Sequence, residues 1–247
     1  MKLIPEQFRS KTDWFTVKAQ DSQSAKIEII GPIDSWYGLD PTLLTKQILA
    51  LDVPTIDVFI SSPGGDLFGS LAVYNSLKAY NGKVRTFNLG LAASAAALIF
   101  MAGEERYMFP EAMLMIHNSM IFTAGNSKDH AASINVLTKL DDLQSRIFAK
   151  NSNIEQHRIT AMLAAETWFN TNDATAHGFA SVWTGDLPKD IPNATAGFDL
   201  SIFENVPERV KAVFAEKKIK TEDIKKDMEL KIVRNSMESR LLSQNLF

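Results

Sequence analysis

The stretch IDVFISSPGGDLFGSLAVYNSLKAYNGKVRTFNLG, residues 56–90, decides the fold. It opens on IDVFI, a short β-branched apolar run of the length of a buried strand. SSPGGD follows at once, a turn whose paired glycines let the backbone bend tightly and approach a ligand with no Cβ in the way. Beyond it Leu67, Leu71, Tyr74 and Leu77 fall on one face of a helix that ends near Asn81 and Gly82, and KVRTFNLG (83–90) reads as the next strand. Strand, turn, helix and strand in so short a span make a βαβ unit, with parallel strands and an expected right-handed crossover.

The pattern extends in both directions. Upstream, AKIEIIG (25–31) alternates as a strand, and PTLLTKQILA (41–50) opens a helix with proline at its first position. Downstream, an alanine-rich helix (about 93–102) leads through the charged turn GEER to the strand AMLMIH (112–117). Residues 128–150 carry Ile134, Leu137, Leu140, Leu143 and Ile147 at helical intervals, and a further helix spans about 154–165. NDATAHGFASVW (172–183) closes the body as a helix–strand pair, and Asn, Ala, Gly and Pro near 193–197 mark a loop. The chain is therefore expected to be an α/β protein of stacked βαβ units. Three segments are expected: a polar lead-in (1–24), the body (25–190), and a charged, helical extension (191–247).

Composition narrows the chemistry. With 247 residues, 45% of them hydrophobic, the chain can bury a full core. It has no run of eighteen uncharged apolar residues, so no membrane span is expected. The absence of cysteine removes disulfides, thiolate metal sites and a cysteine nucleophile together. Four scattered histidines, His117, His130, His157 and His177, lack ligand spacing, so neither a metal nor a cofactor is expected. The N-terminus shows no secretory pattern, which points to the cytoplasm. Within the net charge of −3, residues 208–240 hold ten Lys/Arg against seven Asp/Glu. That tail is mixed in sign and reads as a solvated or partner-bound helix, not as a nucleic-acid arm.

Three features converge at one sheet edge. SSPGGD (61–66) lies at the carboxyl end of a parallel strand, where open α/β sheets place their sites. Ser94 is the one hydroxyl in GLAASAAAL (90–98), and sits at the corresponding place in the next unit, at a helix N-terminus that favours developing negative charge. His117 ends the following strand after four apolar residues. Separately these read as an ordinary turn, a small packing residue and a satisfied polar side chain. Together they supply nucleophile, general base and oxyanion donors, the parts for acyl transfer.

ISSPGGDLFGSLAVYNSLK, GLAASAAALIFMAG, MLMIHN and ETWFNTNDATAHGFA, in that order, resemble the proteolytic subunit family of the Clp protease. The match is closer to its phage and prophage head maturation members. It covers about residues 25–185, and FDLSIFENVP resembles the segment that follows the core in the phage group. The resemblance implies a Clp-protease/crotonase-like spiral with a protruding handle helix at 128–150 and a C-terminal helical extension. It implies Ser94 as nucleophile, His117 as base, and the backbone N–H groups of Gly65 and Ala95 as the oxyanion hole. It puts Glu166 where the parent pattern has aspartate, with Asp173 and Asn170 in reserve; otherwise Glu166 is a surface carboxylate at a helix end. Ser119, Met120, Ile121 and Phe122 fall on the family's substrate-pairing strand. The implied partners are polypeptides, a capsid or scaffold precursor among them, and a homo-oligomeric ring; an unfoldase partner stays open.

Rival readings follow from the same fold. Crotonase-type acyl-CoA chemistry uses paired amides but no serine, and relies on acidic residues near the second amide, where this chain has Ser94 and alanines. A serine–lysine peptidase of the signal-peptide type works at membranes. An inactive scaffold or assembly protein would keep the fold without the reaction.

Overall fold

The computed structural model describes residues 15–19, 21–34, 38–185, 200–208 and 210–211. The chain begins with β1 (Phe15–Ala19), β2 (Ser24–Ile30), α1 (Pro41–Leu49), β3 (Thr55–Ser62), α2 (Leu67–Lys78) and β4 (Lys83–Ala93). It continues through α3 (Ala95–Phe100), β5 (Glu105–Met108), β6 (Met113–Ile116), α4 (Ser127–Lys150), α5 (Gln156–Ala164), β7 (Thr167–Asn170), α6 (Thr171–Ala176) and β8 (Ser181–Val182).

Among the described residues one sheet carries all eight strands, in the order β1-β2-β3-β4-β5-β8, with β6 and β7 branching from β4. The expected βαβ unit is its centre: β3 and β4 pair in parallel from Thr55↔Lys83 to Ser62↔Ala92. On its other side β4 forks. Its first half, Arg85–Asn88, pairs with β5, and its last three residues, Leu91–Ala93, pair with β6. Asn88, fully buried, sits at the fork. Its Nδ2 donates to the Met113 carbonyl (2.8 Å), and its Oδ1 accepts from the Gly90 N–H (3.2 Å). The side-chain amide thus satisfies backbone groups where the ladder changes partner.

The strand period sorts the apolar residues of β4 and β6 onto two faces. Ala92, Leu114 and Ile116 join the main core with Ile27, Val58, Ile60 and Phe100. Leu91, Ala93, Met113 and Met115 face the other way, where Leu200, Phe203, Val206 and Val210 cover them, with Trp168 alongside. Burial of each of these four covering side chains contributes about 1.5–3 kcal/mol before entropy.

Several expectations need correction. The segment 1–24 is not only a lead-in, because β1 pairs antiparallel with β2 and lengthens the sheet. GEER is more than a turn: Glu105–Met108 form β5 in spite of their charges, because β4 and β8 flank them. The alanine-rich helix is shortened to Ala95–Phe100, since Leu91–Ala93 pair with β6 and strand pairing overrides helix propensity there. ETWFN contains β7, which runs antiparallel to β6. The body also reaches past residue 190, because Leu200, Phe203, Val206 and Val210 pack on β4 and β6. The helix read over 208–240 lies, beyond residue 211, outside the described residues.

Helix α4 matches the expected handle. A capping box of Asn126 and Asp129 starts it, and no residue before Leu140 is buried, so its first half projects from the body. Among the described residues no helix is long and apolar enough to cross a membrane.

Candidate active site

Ser94 stands between the end of β4 and the start of α3 with φ +55° and ψ −126°. A non-glycine residue there stores about 1–3 kcal/mol of strain. Its N–H donates to the Met115 carbonyl (3.0 Å), and its carbonyl accepts from Ala97 (3.0 Å), so the turn is pinned from both sides. The PGG loop presses against it. A Cβ on Gly64 (φ +91°) would lie 2.8 Å from Ser94 Cβ and 2.9 Å from Ala95 N, closer than real Cβ atoms come. Only glycine fits.

Gly65 is shaped by its other neighbour. The Ile33 N–H donates to the Gly64 carbonyl (2.9 Å) and the Asp66 N–H to the Ile33 carbonyl (2.7 Å), which leaves the Gly65 N–H outside that bridge. Ala95 opens α3, where the first N–H groups have no partner within the helix. Gly65 and Ala95 thus flank the serine turn from the PGG loop and from the helix start.

His117 follows β6. Its Nε2 lies 2.7 Å from Ser94 Oγ, the distance of a nucleophile–base hydrogen bond. The residues after it are anchored by two helices. Asn118 N–H donates to the Leu163 carbonyl (3.0 Å), Ser119 N–H to Asp141 Oδ1 (2.7 Å), and Gln144 Nε2 to Ser119 Oγ (2.7 Å). Burial holds the imidazole below its ordinary pKa, and the negative charges of Glu166 and then Asp141 draw it partly back up.

Glu166 precedes β7, and the Ile116↔Thr167 register sets it beside His117. Its carboxylate is occupied, however. Oε1 accepts from Asn205 N–H (2.6 Å) and Trp168 Nε1 (3.1 Å), and Oε2 from Glu204 N–H (2.8 Å). Among the described residues no hydrogen bond joins it to His117. Asp173 and Asn170 are placed elsewhere. They form the capping box of α6, and Asn170 pairs with Met113 at the far end of β6, about 10 Å along the strand.

Residues Ser119, Met120, Ile121 and Phe122 form no strand in the chain by itself. They run through an irregular segment in which Met120 and Phe122 are exposed. Sequence reading missed the packing of Phe203, whose ring meets the His117 imidazole edge-on (5.5 Å, 88°) and Trp168 likewise (5.9 Å, 81°). A signal existed. AMLMIH is apolar on both faces, so a second layer has to cover it. Among the described residues no three His, Asp or Glu side chains converge as metal ligands would.

The site thus brings a serine and a histidine into contact at the carboxyl edge of the parallel strands of a mixed sheet. The family model for Clp protease matches residues 10–183, and the chain belongs to that family. The ATP-dependent Clp protease proteolytic subunit of Deinococcus radiodurans is 26% identical over 141 residues, which span 55% of this chain and 69% of that protein. A ClpP1 mutant from Listeria monocytogenes shares the fold with a TM-score of 0.57 at 20% identity, covering 65% of this chain and 91% of that one.

Proposed function

We propose that this protein is a serine endopeptidase that cleaves polypeptides through an acyl-enzyme. The observation that carries the reading is the 2.7 Å approach of His117 Nε2 to Ser94 Oγ at a strained turn backed by the PGG loop. In the reaction His117 takes the Ser94 proton as Oγ attacks the substrate carbonyl. The oxyanion is received by the Gly65 and Ala95 N–H groups. His117 then protonates the leaving amine, and a water repeats the sequence to release the acyl group. Glu166 favours the imidazolium by its charge.

The segment Ser119–Phe122, exposed from Met120 on, takes an extended substrate by main-chain pairing, which gives little side-chain selectivity. Copies of the chain form a ring, and the projecting half of α4 joins one ring to another. The substrate is a capsid or scaffold precursor. The motif match to the phage-type members and the segment FDLSIFENVP support this.

A fluorophosphonate probe tests the chemistry. The expected adduct is on Ser94, lost in Ser94→Ala together with peptide cleavage. A chain that is folded but unlabelled is the inactive scaffold instead. Co-expression with a capsid precursor tests the role: processing is expected with the parent and not with Ser94→Ala, and an uncut precursor overturns the capsid assignment.

A further inference from the structure

Residues 200–206 do more than cover an apolar face. Phe203 touches the imidazole of His117 and the indole of Trp168, both edge-on. Trp168 donates to Glu166, and the same carboxylate receives the consecutive N–H groups of Glu204 and Asn205. The Asn205 side chain closes the grip by donating to the Ala165 carbonyl (3.1 Å). Glu166 itself is held at φ +47°, a conformation that persists in a non-glycine residue only when its surroundings impose it. Two neighbours of the histidine, the Phe203 ring and the Glu166 charge, are thus set by one short segment, 200–206, whose Leu200, Phe203 and Val206 are buried beneath the ends of β4 and β6.

We propose that this segment is a built-in strap that positions the Ser94–His117 pair, with Phe203 as its principal positioning residue. The strap fixes the plane of the imidazole by the edge contact of Phe203, and fixes the Glu166 charge alongside by two backbone N–H groups. Docking of the strap coexists with the 2.7 Å Ser94–His117 contact, so the docked form is the competent one. The proposal rests on the reading of Ser94 and His117 as nucleophile and base. Three acidic residues are relevant to the titration of His117. Asp141 on α4 and Glu166 before β7 act on it through their charge, while Glu204 on the strap is exposed and offers its N–H.

The test compares Phe203→Ala and Phe203→Leu with the parent, in the full chain. Phe203→Ala is expected to lower kcat about tenfold to a hundredfold with KM nearly unchanged, because the imidazole loses its fixed orientation. The acid limb of kcat/KM and the His117 titration read by NMR should both move up toward 6.5 as water reaches the ring. Phe203→Leu keeps the apolar bulk and should fall between the two. If the alanine variant does not fold, the leucine variant decides alone. Parent-like kcat and parent-like titration in a folded variant overturn the proposal, and so does a rise in kcat, which would make the strap a block. Fluorophosphonate labelling of the parent separates the two readings. Without a Ser94 adduct the peptidase reading fails, while the NMR titration still decides whether Phe203 sets the environment of His117.

Discussion

At Ser94 the backbone and the hydroxyl make opposite demands. The turn at φ +55° suits glycine, yet glycine has no Oγ to present to His117. Ser94→Gly should therefore be more stable than Ser94→Ala by about 1 kcal/mol, seen as a higher denaturant midpoint at unchanged m-value, while both lack the adduct. The histidine makes its own prediction. Because burial lowers its pKa, the base form dominates at pH 7, and kcat/KM should rise with pH through a midpoint below 6.5 and be level by neutrality. A midpoint above 6.5 would contradict the buried setting. Glu166→Gln should cut activity about tenfold or more. It also turns one acceptor into a donor facing the Glu204 and Asn205 N–H groups, so amide exchange at 203–206 should quicken in parallel. The placing of Ser94 and His117 at one sheet edge was legible because each directly follows a strand there. The surroundings of Glu166 were not, because its partners lie 38 and 39 residues away in sequence and only tertiary packing brings them together.

Among the elements, β4 has the most demanding task, since it changes partner halfway along its length. Asn88 makes the change possible by bonding both the Met113 carbonyl and the Gly90 N–H. Asn88→Ala removes a partner from the buried Met113 carbonyl and from the half-buried Gly90 N–H and should lower stability by about 1–3 kcal/mol. Because β6 carries His117 at its end, peptide cleavage should fall more than the loss of folded protein explains. Equal losses would confine Asn88 to stability. The long periodic elements, α2 and α4, could be read from the chain because their apolar stripes repeat over many turns. The four-residue strands β5 and β7 could not. ERYM and TWFN carry too few residues to show a period; β5 is made a strand by its partners β4 and β8 on both flanks, and β7 by its pairing with β6.

For the whole molecule, exposed apolar side chains mark the surface that the proposed ring would use. Ile134 and Val136 on the projecting half of α4 are 62% and 45% exposed, and Phe122 is fully so. Light scattering should give a mass several times the 27.5 kDa of one chain, and Ile134→Glu combined with Val136→Glu should lower it without changing the melting of the subunit. A stable monomer in the parent at micromolar concentration would remove the ring. Truncation separates body from tail. A chain ending at residue 211 keeps Val210 in its packing and should retain peptide cleavage, whereas one ending at residue 199 bares Leu91, Met113 and Met115 and should lose it.

The strap also sets a timetable. A ribosome makes Ser94 and His117 well before Phe203, and at about 5–20 residues per second the interval from residue 117 to residue 203 lasts roughly 4–17 s. During that interval the nascent chain holds the pair without the ring and amides that orient it. On the proposed roles of Ser94, His117 and the strap, completion of the site by a late-synthesised segment spares the chain from cutting itself, or its neighbours on the same polysome, before the rest of the subunit has folded.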